Sequence, residues 1–276
     1  MLRKATEADL DKLIAFRQET NGGSHSEVAG WLENIVGLDN VLLVEQDTPD
    51  GSVLVSMVCA VPVETRGRHG IWFCGMATAP AFRGRGLMTK LMDGCLRAFA
   101  ADGAEFAVVV PGNARTAQQL RGLQFQNAFA LRFLNRTIPH NLWAHADFDA
   151  MTVRRLVDTR VYYQPGCINL PLSSMNEVVS QLYRRGATIV SNRRGYGIFF
   201  VQKDILQFVE LQADNDHSAD ILLQAARERT GCEQAQIILS ESQSLYLGEG
   251  KRCSYGMIRF LQRPFPLTDV YFRLLV

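Results

Sequence analysis

The chain has 276 residues, 29 Lys and Arg against 28 Asp and Glu, and a net charge of +1, so no global field draws it to nucleic acid or to an acidic membrane. Its 47% hydrophobic and 21% charged residues are ordinary for a soluble globular protein, and no apolar run reaches the roughly 20 residues that a membrane-spanning helix needs. The length admits one large or two small domains. The polar start, Met1 to Asp9, does not read as a signal peptide. Cys59, Cys74, Cys95, Cys167, Cys232 and Cys253 are scattered, with no Cys-x-x-Cys, which reads as free thiols in a reducing cytoplasm. No His, Cys and Asp cluster has metal-ligand spacing, so no metal is expected.

Residues 1–6 read as a short strand. Thr6 then caps a helix whose apolar face is Leu10, Leu13, Ile14 and Phe16, with Asp9 at the third helical position. A second helix spans Glu27 to Val36. Strands at 41–45 and 52–61 flank the turn Asp47-Thr-Pro-Asp-Gly51. The apolar run Ile71 to Ala77 is a buried strand. Leu87, Met88, Leu91, Met92, Cys95, Leu96 and Phe99 recur at helical spacing.

Between that strand and that helix lies Thr78-Ala-Pro-Ala-Phe-Arg-Gly-Arg-Gly-Leu-Met88. The first turn of a helix has N–H groups without intrahelical partners, and its dipole favours negative charge. Gly84 and Gly86 let a ligand approach the backbone, and Arg83 and Arg85 add forked positive donors. This combination holds a phosphate or pyrophosphate. The loop is neither Gly-x-x-x-x-Gly-Lys-Ser/Thr nor Gly-x-Gly-x-x-Gly. It resembles motif A of the GNAT superfamily of N-acetyltransferases, with Thr78, Pro80, Phe82, Arg83, Gly84, Gly86 and Leu87 filling the pattern in order.

The rest of the first half agrees with the resemblance. A buried strand at 105–110, Asn113, a helix from Thr116 to Leu123 and a closing strand from Ala128 to Leu134 follow the family order, so that residues 1–137 read β-α-α-β-β-β-α-β-α-β. The resemblance implies a GNAT fold of the α+β or α/β class, a mixed, mostly antiparallel sheet flanked by helices. Two positions depart from the family's Tyr-x-x-x-Gly-Phe: Leu120 stands where the acid tyrosine would be, and Gln124 replaces the glycine before Phe125.

Residues 138–146 read as a linker, and residues 147–276 as a second unit. Helices at 148–161 and 173–183, strands at 187–190, 196–201 and 205–211, a helix at 218–229 and a strand at 236–240 repeat the order of the first half. Where the basic loop should recur, Ala213 to Asp220 carries three aspartates, which repel a pyrophosphate. The second half is thus expected to be a degenerate GNAT-like unit, ending in strands at 255–261 and 270–276. The arrangement is similar to the enhanced-intracellular-survival acetyltransferases without their sterol-carrier-like domain.

The resemblance implies transfer of an acetyl group from acetyl-CoA to a primary amine of a small molecule or peptide by direct attack. Backbone groups of Met76, Ala77 and Thr78 would pair with the pantetheine arm. Amides of Arg83, Gly84, Arg85, Gly86, Leu87 and Met88 would take the pyrophosphate, and Asn113 would lie near the pantetheine or thioester. The catalytic residues stay open. His25, Glu27 and Glu33 are candidate bases, with solvated helix surface the commoner role for such residues, and the carboxylate of Val276 is another if the last strand points into the cleft. Trp31, Trp72, Phe129 and Trp143 are candidate pocket walls, with core the commoner role for such residues. A non-catalytic acyl-CoA-binding sensor or scaffold is the alternative, prompted by Leu120, and a transferase of longer acyl chains is a third reading.

Overall fold

The computed structural model describes residues 2–49 and 51–275. Among them the chain forms two compact units, 1–128 with 256–265 and 129–255 with 266–276.

The first unit runs β1 (Leu2–Lys4), α1 (Leu10–Asn21), α2 (His25–Gly30), β2 (Val41–Thr48), β3 (Gly51–Thr65), β4 (Arg68–Thr78), α3 (Leu87–Ala101), β5 (Phe106–Val109) and α4 (Ala114–Gly122). The next strand, β6 (Gln126–Thr137), leads into the second unit. That unit adds β7 (Asp147–Phe148), α5 (Val153–Tyr163), β8 (Gly166–Cys167), α6 (Leu172–Arg184), β9 (Thr188–Asn192), β10 (Gly195–Gln202), β11 (Ile205–Ala213), α7 (Asp216–Thr230), β12 (Gln234–Ser240), β13 (Lys251–Phe260) and β14 (Val270–Tyr271).

Local chemistry sets the helix starts. The Asp9 carboxylate accepts from the Thr6 N–H and hydroxyl, both at 2.9 Å, and a 3₁₀ turn at Glu7–Asp9 leads into α1. At α2, Glu27 accepts from the Ser24 N–H while Ser24 accepts from the Glu27 N–H. The predicted second helix continues past Gly30 as a π-helical turn, Trp31–Val36.

In the first unit β1, β2, β3 and β4 pair antiparallel in sequence, β5 joins β4 in parallel, and Met257–Phe260 of β13 pairs antiparallel with β5. In the second unit β9, β10 and β11 pair antiparallel, β12 joins β11 in parallel, and β6 pairs antiparallel with β12 from Leu131 to Thr137. The order and the sense are the same in both, so the topological repeat is present.

The boundary differs from the expected 137/147 division. The strand read as closing the first unit pairs within the second, and the strand read near the end of the second closes the first. Each position needs an antiparallel strand of alternating pattern, and either segment meets that need. The final expected strand is short: β14 pairs in parallel with β8 over two residues, and Val276 lies outside the described residues.

Each unit has its own core. Val58, Phe73, Leu91, Leu96, Val109 and Met257 lie in the first, and Leu134, Phe199, Phe208, Leu222 and Ile237 in the second.

A candidate acyl-CoA cleft in the first unit

The cleft forms because β4 and β5 part. Their parallel pairing ends at Phe73 and Val109, while β4 runs on to Thr78. At the same place β4 is bulged against β3. Met57 faces Ala77 and Cys59 faces Cys74, so Gly75 and Met76 oppose the single Val58. Gly75 takes φ +58°, and a Cβ there would stand 2.7 Å from the Trp31 ring and 2.9 Å from the Cys59 sulfur. Glycine is therefore required both by the backbone and by space.

At the mouth of the parted strands sits the Gly-rich loop. A 3₁₀ turn, Pro80–Phe82, leads into it. Gly84 and Gly86 have φ +79° and +72°, and Gly86 is the N-cap of α3. The first helical bond runs from the Lys90 N–H to the Gly86 carbonyl. Among the described residues, the N–H groups from Gly84 through Thr89 donate to no protein acceptor outside the helix ladder. They form a concave row of donors at a helix N-terminus, which suits a phosphate.

The resulting cleft has a volume of about 800 Å³. It brings together Met76, Ala77, Thr78, Arg83, Gly84, Gly86, Leu87, Met88 and Asn113, nine of the residues named from the sequence. Arg83 also donates from Nε to the Thr78 carbonyl at 3.0 Å. Arg85 is placed differently. Its guanidinium donates to the Ala81 carbonyl at 3.0 Å and lies 5.0 Å from the Phe82 ring, outside the cleft lining. Asn113 is the N-cap of α4, accepting from the Thr116 N–H at 2.9 Å.

Leu120 lines the cleft and is 2% exposed, packed in the first core. It has no proton to give. Gln124 sits at φ +63°, which explains why a glycine suits that position. Of the candidate bases, His25 and Glu33 are exposed and Glu27 serves the α2 cap; none lines the cleft. The carboxylate of Val276 lies outside the described residues. Trp72 and Phe129 are buried, Trp143 is 86% exposed, and Trp31 is half-buried beneath Arg17.

Arg17, Thr20 and Asn21 of α1 and Arg115 of α4 also line the cleft. The sequence carried no signal for them, because an arginine on an amphipathic helix reads as solvated surface. Among the described lining residues none is acidic.

In the second unit the chain fills the corresponding places itself. Asn215 caps α7 by accepting from the Ser218 N–H. Asp216 accepts from the N–H groups of Tyr246 and Leu247, Asp220 pairs with Arg136, and Gln243 donates to the Leu211 carbonyl on β11 at 2.8 Å.

Residues 1–120 match the family model described as an acetyltransferase (GNAT) domain. No curated protein sequence matches the chain. Among solved structures, a GCN5-related N-acetyltransferase from Kribbella flavida is 18% identical with a TM-score of 0.72, over 94% of this chain and 70% of that one. Eis1 from Mycobacterium abscessus is 12% identical with a TM-score of 0.70, over 95% and 74%. A probable N-acyltransferase from Enterococcus faecalis V583 is 13% identical with a TM-score of 0.71, over 95% and 72%. Residues 1–120 are thus similar to a GNAT acetyltransferase domain, and the chain as a whole has the fold of the GCN5-related N-acetyltransferases.

Proposed function

We propose that this protein transfers the acetyl group of acetyl-CoA to a primary amine of a small molecule or peptide by direct attack. The observation that carries the reading is the row of unengaged N–H groups from Gly84 to Thr89 at the open end of the parted strands. In this reading the row takes the pyrophosphate and the free edge of β4 from Cys74 to Thr78 takes the pantetheine arm. The thioester then sits beside the bulge at Gly75 and Met76. The neutral amine nitrogen bonds to the carbonyl carbon, an N–H near Met76 holds the oxyanion, the carbon–sulfur bond breaks with the sulfur leaving as thiolate, and the proton shed by the amine passes to water. Rate comes chiefly from holding the two reactants in line.

Cys74 adjoins that point, and a covalent relay through it would need a thiolate. Burial, with the neighbouring Cys59, pushes the Cys74 thiol well above its ordinary range. A thiol so held is a poor nucleophile at neutral pH, which favours direct attack.

The second reading, a non-catalytic acyl-CoA-binding sensor or scaffold, is favoured by Leu120. General acid help is worth about 10²–10⁴-fold, so its loss slows a transferase without abolishing it. Free-thiol release from acetyl-CoA, followed with a panel of amines against an amine-free control, separates the two. Amine-dependent release supports the transferase. Tight acetyl-CoA binding with no release from any amine supports the sensor.

A further inference from the structure

The two units treat one arginine differently. Arg17 and Arg160 are each the eighth residue of the first helix of their unit, α1 and α5. Those helices pack on the equivalent strands, β4 and β11. Both strands carry a bulge at the facing position, at Gly75–Met76 in β4 and beside Glu210 in β11.

In the second unit the arginine is answered from within. Glu210 accepts from Arg160 Nε at 2.8 Å and from a second guanidinium nitrogen, and also from the Tyr196 hydroxyl at 2.7 Å. Arg160 and Glu210 are both fully buried. The pair is a forked guanidinium–carboxylate contact.

In the first unit the carboxylate is missing. Gly75 stands at the bulge, and its absent Cβ would lie 3.2 Å from an Arg17 guanidinium nitrogen. The guanidinium lies 3.9 Å over the Trp31 ring, which fixes its plane. Nη1 is buried with no hydrogen-bond partner in Arg17 and in Arg160 alike. The difference is the carboxylate: Glu210 takes two other nitrogens of Arg160, while among the described residues no carboxylate pairs with Arg17. A buried donor left unanswered is costly, and a planar fork is matched best by a carboxylate. Arg17 also lines the cleft beside the bulge where the thioester is placed.

We propose that the acceptor amine also carries a carboxylate, as an amino acid does, and that Arg17 holds it where Glu210 holds Arg160 in the second unit. The proposal rests on the acyl-transfer reading above. A carboxylate gripped beside Gly75 brings an amine a few atoms away to the thioester carbon. No acidic residue lines the cleft among the described residues, so the lining favours an anionic acceptor over a polycationic one.

The test is thiol release from acetyl-CoA with the protein amino acids and β-alanine as acceptors. Each one that reacts is compared with its carboxamide, using native protein, Arg17→Gln and Arg17→Lys. Acetyl-CoA titration and melting temperature are measured on all three. The expected result is a native kcat/KM at least tenfold higher for an acid than for its amide. Arg17→Gln lowers the acid value about 10- to 100-fold and the amide value less than threefold, with acetyl-CoA affinity unchanged. Arg17→Lys recovers part of the preference, which a purely packing role would not produce. Should Arg17→Gln not fold, Arg17→Lys is read alone: an acid preference reduced from the native value but still above one supports the proposal, and an unchanged preference overturns it. A native protein that binds acetyl-CoA but uses no acid, or uses acid and amide alike, overturns the proposal and leaves the acyl-CoA reading standing. A native protein that binds no acetyl-CoA removes both.

Discussion

Arg83 reaches back from the Gly-rich loop and donates from Nε to the carbonyl of Thr78 at 3.0 Å. The bond ties the loop to the end of β4 and keeps the rest of the guanidinium on the cleft. Arg85, two residues on, turns away onto Ala81 and the Phe82 ring. The two arginines therefore have unequal roles. Arg83→Ala is expected to weaken acetyl-CoA binding about 10- to 100-fold, the scale of a lost charged hydrogen bond together with the loop tie. Arg85→Ala is expected to weaken it less than about fivefold, as an exposed cation at a distance. Calorimetric titration of the two single variants checks this, and equal losses would contradict it.

Gln124 holds a left-handed backbone conformation, φ +63°, at the end of α4, where the Phe125 N–H donates to the Leu120 carbonyl at 3.1 Å. A side chain in that region costs roughly 1–2 kcal/mol, partly offset by the greater unfolded-state freedom of glycine. Gln124→Gly is expected to stabilise the first unit by about 0.5–1 kcal/mol in urea unfolding, with no change in acetyl-CoA affinity.

The Arg160–Glu210 pair is fully enclosed, so removing one member strands the other. Glu210→Gln is expected to destabilise the second unit by about 3–5 kcal/mol. The double replacement Arg160→Met/Glu210→Leu is expected to cost much less, because no charge is then left unpaired. Denaturant unfolding of the single and double variants measures the difference.

Arg3 forks onto Asp9 with two bonds of 2.7 Å and reaches Glu45 from Nε at 2.9 Å, joining β1, the start of α1 and β2. The hydrogen bond from Arg3 holds the Asp9 carboxyl far below the usual carboxylate range. Arg3 first, then Lys12, holds Glu45 down as well. Both carboxyls have folded-state values below their unfolded ones. Their contribution to stability is thus present above about pH 4 and is lost as pH falls through the depressed values. Urea midpoints measured between pH 7 and pH 2 are expected to decline below about pH 4, and Asp9→Asn is expected to make that decline shallower while lowering stability at pH 7.

What the sequence made legible was local. The apolar run at Ile71, the glycines at 84 and 86 and the helical spacing from Leu87 identify strand, loop and helix without reference to anything distant. Leu120 and Gln124 were visible as departures for the same reason. The unit boundary was not, because β6 pairs with β12 about a hundred residues on, and Met257–Phe260 pairs with β5 across a longer gap still. Period-two patterns show that a segment is a strand and not which partner it takes. Arg17 was equally hidden. Its meaning lies in what Gly75 and Trp31 place around it and in the contrast with Arg160, none of which helical spacing encodes.

The central claim is that one cleft, in the first unit alone, binds acetyl-CoA. Calorimetric titration of the native chain with acetyl-CoA tests it most directly. The structure predicts one molecule bound per chain, since Gln243 and Asp216 engage the equivalent places in the second unit within the chain itself. No binding, or two molecules per chain, would contradict it.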